Sequence, residues 1–314
     1  MQSLAPWNPA FSSALATELQ TQPFMIFNFS NVGKDRWPST RCCVLRGFLF
    51  DDRSTNVLLF VTDKRSAKYK ELLKDPRFEA CFYFTKLRKQ FRLRGISRII
   101  ADDLYPNIQI NGKSEEAVLS GAENDDDESN DSFSSSSSSS SLSPSSSFPI
   151  FESFPNRDSG SAYDPLEYVV ISPSVPMQEN LDSSFTSLSD LTHNRKSFEM
   201  AKKEYLQAQL KPPSKEEWAQ ERTRCWEAMS RNMKKAFKKP LPGSLLTENK
   251  SKLLDSIDRN VDGTTSSSGF ENFAVVCMFV DLVDYLDLGA GGVNSRYVYK
   301  RLDGDDWKEY EVCP

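Results

Sequence analysis

The chain has 314 residues, a net charge of −5 and only 38% hydrophobic side chains. That length allows one or two domains with a real core, whereas the serine-heavy composition excludes a folded globule throughout. The charge is divided: Lys34 to Arg98 holds 17 Lys and Arg against 7 Asp and Glu, and Ile99 to Asp190 holds 2 against 17.

Taken in chain order, residues 6–22 read as an amphipathic helix with Phe11, Leu15 and Leu19 on one face. Phe24–Phe29 reads as a strand after Pro23. Arg41–Phe50 and Asn56–Thr62 read as two strands joined by a hairpin loop at Asp51–Thr55. Ser66–Leu73 has helical spacing and stops at Asp75-Pro76. Glu79–Phe84 and Gln90–Ile100 form a second hairpin, so the first part is an antiparallel meander with an inserted helix. The stretch 105–192 contains DDDESNDS and eight consecutive serines, Ser134–Ser141. It is expected to be a disordered, acidic, Ser-rich insertion. Ser197–Leu210 and Glu216–Phe237 then read as helices. In the second, Trp218, Arg222, Cys225, Trp226 and Met229 make a stripe whose ordinary meaning is core packing. A polar stretch, Asn249–Gly269, precedes strands at Phe273–Leu288, Arg296–Leu302 and Trp307–Val312. The expected organisation is thus 1–104 and 193–314 folded together around the insertion at 105–192.

No run approaches the ~18 apolar residues of a membrane span, and the N-terminus lacks a secretory pattern. The six cysteines have no CxxC spacing and only His193 could join them, which argues against zinc, a disulfide framework and Ser-His-Asp or Cys-His catalysis. Cysteines in apolar runs read as reduced thiols in the cytoplasm, with the nucleus left open.

Three clusters in the basic half suit chemistry. Arg41 and Arg46 bracket a buried strand, although a spacing of five sends them to opposite faces unless the strand is bulged or twisted. Thr62-Asp63-Lys64-Arg65-Ser66-Ala67-Lys68 gathers hydroxyls and cations where a strand ends and a helix begins, a setting that suits phosphate. Gln90, Arg92 and Arg94 share one strand face, and an amide there can meet a heterocycle edge-on. Aromatics do not interleave with these cations and the acidic insertion would compete with a polyanion, so nucleic acid is a poor partner.

The order Arg41-x-x-x-x-Arg46-Gly47, then Thr62…Arg65-Ser66-x-Lys68, then Gln90-x-Arg92-x-x-Gly95 resembles the FMN-binding core of the pyridoxamine 5'-phosphate oxidase-like flavoproteins. Arg296-Tyr-Val-Tyr to Trp307 resembles their closing hairpin. Ala5-Pro6-Trp7, Arg224-Cys-Trp226, Pro240-Leu-Pro-Gly243 and Val283 to Leu288 are similar to an FMN-binding subgroup related to those oxidases. The resemblance spans roughly 4–100 and 213–314. It implies an α+β fold, mainly β, of the antiparallel split-barrel type with flanking helices, usually a homodimer. It also implies FMN held by Arg41 and Lys68 at the phosphate, with Arg65 and Ser66 close by, and Val61 and Thr62 beside the cofactor. Arg46 and Gln90 would lie near the ring, and Arg296 would contact FMN from the C-terminal hairpin. The family's second cation falls at Ala67, where Arg65 would stand in, and its flavin-facing tryptophan falls at Leu286.

The substrate side departs from the family. Its Tyr/Arg/Ser phosphate motif is missing after Gln90, and Gly292-Val293-Asn294 replaces an Arg-x-His. The expectation is an FMN-dependent oxidoreductase acting on a small molecule of unknown identity. The alternatives are a true pyridoxamine/pyridoxine 5'-phosphate oxidase, with Arg92, Arg94 and Arg98 as an unrelated anion site, or a non-catalytic flavin-binding module.

Overall fold

The computed structural model describes residues 3–110, 160–175, 210–259, 268–289, 294–302 and 305–314. The first helix, α1 (Asn8–Leu19), is seated by Asn8, whose side-chain amide donates to Asn56 Oδ1 and Arg53 O, both at 2.9 Å. Its buried stripe is Trp7, Phe11 and Ala14, while Leu19 is 45% exposed. The expected Phe11–Leu15–Leu19 face is therefore rotated toward the N-terminal turn. Phe11 meets Phe82, Phe84 and Phe91 edge-on at 5.0, 5.8 and 5.4 Å, the favoured arrangement of aromatic rings.

Strands β1 (Ile26–Val32), β2 (Pro38–Val44), β3 (Val57–Asp63), β4 (Arg77–Phe84), β5 (Lys89–Ile100), β8 (Phe273–Asp287), β9 (Ser295–Arg301) and β10 (Trp307–Val312) form one antiparallel sheet. Its order is β10-β9-β8-β5-β4-β1-β2, with β3 pairing β8. Between β3 and β4 lies α2 (Ala67–Lys74). The hairpin expected between Arg41–Phe50 and Asn56–Thr62 is corrected: β2 pairs with β1 and β3 pairs with β8. Beyond Val44 the chain turns out of the β1 ladder. It bonds to β3 through Arg46 N–H to Leu59 O (2.8 Å), Leu59 N–H to Gly47 O (3.0 Å) and a bridge from Phe48 to Leu58.

The long strand β8 organises the core. It pairs with β5 along its length, with β3 through Phe273–Phe279 and with β9 through Leu282–Asp287. Near its middle the register slips: Arg94 faces Leu282 but Gly95 faces Val280, so Asp281 is an extra residue. Ala274, Val276, Met278 and Val280 before the slip, and Val283 and Tyr285 after it, consequently reach the same aromatic core as Phe27, Phe29, Phe60 and Phe82. Gly95 is required at the slip, because a Cβ there would sit 1.9 Å from Phe279 O.

The other face of β3 and β8 presents Val57, Leu59, Val275, Cys277 and Phe279 to a second apolar cluster. Burial on both faces explains the unbroken apolar run FAVVCMFV. This cluster is closed by α3 (Lys215–Glu227), which starts with a capping box at Ser214 and Glu217. The helix expected over Glu216–Phe237 breaks at Ser230, which caps a short α4 (Arg231–Ala236). Its stripe of Trp218, Arg222, Cys225, Trp226 and Met229 is buried, as core packing requires. A further helix, α5 (Glu248–Asp258), occupies the stretch read as a polar separator.

Most of 105–192 lies outside the described residues, as does the helix expected from Ser197. Its two described parts, 105–110 and 160–175, depart from the expected disorder. β6 (Ile108–Gln109) runs parallel to β7 (Leu166–Glu167), and Leu166, Tyr168 and Val170 enter the second cluster. Tyr168 donates from its hydroxyl to Val280 O at 3.3 Å.

Candidate functional site

Four sequence-selected residues gather where β3 hands over to α2. Thr62, next to last in β3, sets its hydroxyl 3.2 Å from that of Ser66. Ser66 caps α2 by accepting from the Tyr69 N–H, the usual role of serine at a helix start. Lys68, second in α2, lies over the Phe60 ring at 4.9 Å and sets Nζ 3.6 Å from Cys43 Sγ on β2. Two residues earlier on β2, and so on the same face, Arg41 donates to Ser39 O (2.8 Å), Ser39 Oγ (2.6 Å) and the side-chain carbonyl of Asn31. It reaches Glu71 of α2 at 3.5 Å.

The charges here are incompletely answered. Burial pushes the Lys68 ammonium below its ordinary 10.5, and Arg41 pushes the same way against the pull of Cys43. Burial raises the Cys43 thiol, which Lys68 and Arg41 oppose. Glu71 accepts from Arg41 and from Asn31 Nδ2 (3.0 Å), and among the described residues no carboxylate pairs with Lys68. Two cations, two hydroxyls and a helix N-terminus converging in this way are a donor set for a phosphate dianion. A dianion would also relieve the repulsion between Arg41 and Lys68, so the chemistry of these residues fits the phosphate end of FMN.

The remaining five residues sit elsewhere. Val61 alternates away from Thr62 and packs on the second cluster. Arg65 is bound to Asp63 by Nε (3.0 Å) and Nη2 (2.7 Å) and donates to Phe237 O (3.2 Å). It is thus committed before it can stand in for the cation missing at Ala67. Arg46 lies against Met233 of α4, Nη2 to Sδ 3.2 Å, with its Nε buried and unpartnered, and burial lowers its pKa. The turn after β2 leaves Arg41 on α2 and Arg46 on α4, so the structure does not bring the two together. Gln90 faces Leu286 across the β5–β8 ladder, and Leu286 faces Arg296 across β8–β9. Gln90 and Arg296 thus share a row on the outer face of the sheet, the opposite face from the aromatic core.

Arg296 there is held by Asp284, Nε to Oδ1 2.9 Å and Nη2 to Oδ2 2.8 Å, and Arg92 donates to the same carboxylate. Burial raises the Asp284 carboxyl, but the bonds from Arg296 and Arg92 outweigh it and hold the group below the usual range. The three arginines weighed as an anion site are not gathered. Arg92 answers Asp284, Arg94 answers Glu79 at 2.7 Å, and Arg98 is buried against the carbonyls of Ser97 and Asp164. A cavity of about 270 Å³ lies among Tyr105, Pro106, Tyr163, Pro212 and Trp218. None of the nine residues lines it, so the convergent polar groups mark the site better than the cavity does.

Cys43, Asn31, Glu71 and Asp284 were not selected from the sequence. Cys43 could have been found by strand alternation from Arg41. Glu71 and Asn31 depend on where α2 lands, which spacing does not encode.

A family model described as "Pyridoxamine 5'-phosphate oxidase, FMN-binding domain" matches residues 4–101. Uncharacterized protein YGR017W of Saccharomyces cerevisiae is 30% identical over 331 residues, covering 99% of each chain. Pyridoxine/pyridoxamine 5'-phosphate oxidase 2 of Arabidopsis thaliana is 30% identical over 97 residues, which cover 31% of this chain and 48% of that protein. Among solved structures, a pyridoxamine 5'-phosphate oxidase-related, FMN binding protein of Nostoc punctiforme aligns over 100% of both chains with a TM-score of 0.55 and 18% identity. PhzG of Burkholderia lata, solved with tetrahydrophenazine-1-carboxylic acid, aligns over 99% of this chain and 98% of its own with a TM-score of 0.51 and 11% identity. At such identities these two likenesses establish the fold, a mixed α+β architecture on a large antiparallel sheet.

Proposed function

The chain belongs to the pyridoxamine 5'-phosphate oxidase FMN-binding domain family, and on that premise we propose that it is an FMN-dependent oxidoreductase holding the cofactor's phosphate at Arg41, Lys68, Ser66 and Thr62. The observation that carries this reading is the Arg41–Lys68 pair, two neighbouring cations beside two hydroxyls with, among the described residues, no carboxylate on Lys68. Bound flavin supplies two-electron chemistry, and the protein supplies position and surroundings. Gln90 shares the outer-face row of Arg296, so its amide would meet the ring edge from the same side as Arg296.

In this reading the sheet is the family's split barrel, supported by the step from β2 to β3 at Arg46–Phe48 and from β3 to β8. The site is completed by a second copy of the chain, whose outer-face Arg296 comes to the Arg41–Lys68 pocket of the first. Within one chain those groups lie on opposite faces of the sheet.

The test is the absorbance spectrum of the purified protein, with mass identification of the released cofactor. Arg41→Ala and Lys68→Ala are each expected to weaken FMN binding by about 1.5–3 kcal/mol through loss of a charge-assisted hydrogen bond. Full flavin affinity in the double variant would overturn the phosphate site.

Phosphorylated B6 vitamers are expected to be poor substrates. Arg92 and Arg94 are already paired with carboxylates, and Asn294 cannot relay a proton as an imidazole does. Oxidation of pyridoxamine 5'-phosphate with kcat/KM of about 10⁴ M⁻¹s⁻¹ or more would restore the vitamer assignment. The same substitution at Asn294 supports a second reading, a flavin-binding module without turnover.

A further inference from the structure

One charge cluster on the outer face of the sheet spans three strands. Arg92 of β5 stands across the ladder from Asp284 of β8, and Arg296 of β9, opposite Leu286, lies diagonal to Asp284. Asp284 alternates with Val283 and Tyr285, which enter the aromatic core, and so points the other way. Its side chain is only 4% exposed, whereas those of Arg92 and Arg296 are 32% and 27% exposed. The carboxylate thus lies beneath two guanidiniums that still reach solvent.

Arg296 commits one edge to that carboxylate, through Nε and Nη2, and two parallel bonds of this kind fix orientation as well as distance. Its Nη1 has no partner among the described residues and is the end left for a ligand. Asp284 also stands between two like charges. Without it Arg92 would repel Arg296; with it the trio keeps one net positive charge, so Arg296 is held and still cationic. The next carboxylate along β8, Asp287, falls on the other face. It is bonded by Lys89 (3.2 Å), the Tyr285 hydroxyl (2.9 Å) and the Gly289 N–H (3.0 Å), and does not draw Arg296 away.

We propose that Asp284 is a positioning residue of the flavin site, holding Arg296 in the one orientation from which Nη1 meets the cofactor. The inference rests on the reading that Arg296 contacts FMN. It deepens that reading by assigning the rigidity of the contact to a buried carboxylate two positions from Leu286 on β8. Arg92 then shares in the stability of the carboxylate and has no part in the contact itself.

FMN affinity, read by flavin fluorescence, and urea stability measured on the same full-length variants test it. Asp284→Asn breaks the bidentate hold and is expected to weaken FMN binding about tenfold, because a freed long side chain must then be ordered at the contact. In an Arg296→Ala background the same change should add less than about twofold, since no guanidinium remains to be positioned. Arg92→Met should lower stability yet leave affinity within about twofold, because Asp284 keeps both bonds to Arg296. Asp284→Glu covers the case in which the asparagine variant does not fold. It keeps the charge for both guanidiniums but displaces Arg296 by a methylene, and affinity should again fall. Arg296→Ala that lowers affinity while the Asp284 variants bind FMN as wild type does overturns the positioning role alone. Equal losses in Arg92→Met and Asp284→Asn, or additive losses in the double variant, also overturn it, as general damage to the sheet. Wild-type affinity in Arg296→Ala, or a chain that takes up no FMN, overturns the reading of the site and the positioning role with it.

Discussion

At Asp284 two guanidiniums converge on one buried carboxylate, whereas at Lys68 an ammonium and a guanidinium share their space with a thiol and two hydroxyls. The residue types on the cationic side are nearly the same. In the first place the carboxylate is present and hydrogen-bonded from both sides, so both guanidiniums find their counter-charge within the chain. In the second, burial and like charge both act against the ammonium, and among the described residues no carboxylate pairs with it. A basic cluster becomes a ligand site through what does not face it.

Removing Asp284 is the severest way to break the contrast. Asp284→Asn leaves Arg92 and Arg296 facing an amide and is expected to cost about 3 kcal/mol in urea unfolding. A loss under about 1 kcal/mol would show that solvent already answers both arginines. Lys68→Met is expected to behave oppositely in flavin-free protein, with stability unchanged or raised, because it replaces an unpaired ammonium by an apolar chain of similar length. Flavin affinity should fall on the order of tenfold or more in the same variant.

pH sharpens the same contrast. Asp284 titrates below its unfolded value. Its contribution to stability is therefore present above about pH 4 and lost as pH falls through the depressed folded value. Lys68 titrates below 10.5 in the folded state, so the unfolded chain holds the proton longer. Flavin-free stability should rise with pH across that interval, while FMN affinity declines as the ammonium is lost. Calorimetric and fluorescence titrations from pH 3 to 10 would read both limbs, and FMN affinity that does not fall on the alkaline limb while flavin-free stability rises would undo the distinction. Arg65→Ala should have the smallest effect, about threefold or less on FMN binding, because Asp63 already occupies the guanidinium.

The sequence carried more of the sheet than of the site. Strands with a strong local pattern, such as Trp307–Val312, appear where alternation places them, and β8 was visible as an apolar run. What it could not convey was partner choice. The loop at Asp51–Thr55 looked like a hairpin because nothing in β2 says that β1 takes its ladder first. In the stretch expected to be disordered, Leu166, Tyr168 and Val170 do alternate, but three apolar residues among acidic and serine-rich neighbours are too short a signal for a strand. α5 was hidden for a related reason: its helix begins at a Thr247 cap inside a polar run and buries only Ile257. At the site, Thr62, Ser66 and Lys68 were legible because a strand-to-helix junction is a local feature, whereas Arg41, on β2, was joined to them only by the family resemblance. The commitment of Arg65 to Asp63, and the separation of Arg41 from Arg46, depend on how elements dock.

The extra residue at Asp281 makes the length of β8 part of its code. Upstream, even-numbered residues face the aromatic core; downstream, odd-numbered ones do. Asp281 itself answers Arg301 through Oδ1, at 2.8 Å from Nε and 2.6 Å from Nη2, so a side-chain replacement there removes an ion pair and leaves the count intact. Deleting the residue would turn Asp284 and Leu286 inward and Tyr285 outward, carrying β9 and Arg296 onto the wrong face. A change of side chain in this strand therefore keeps the register, whereas an insertion or deletion within it would separate the C-terminal hairpin from the site it is proposed to serve.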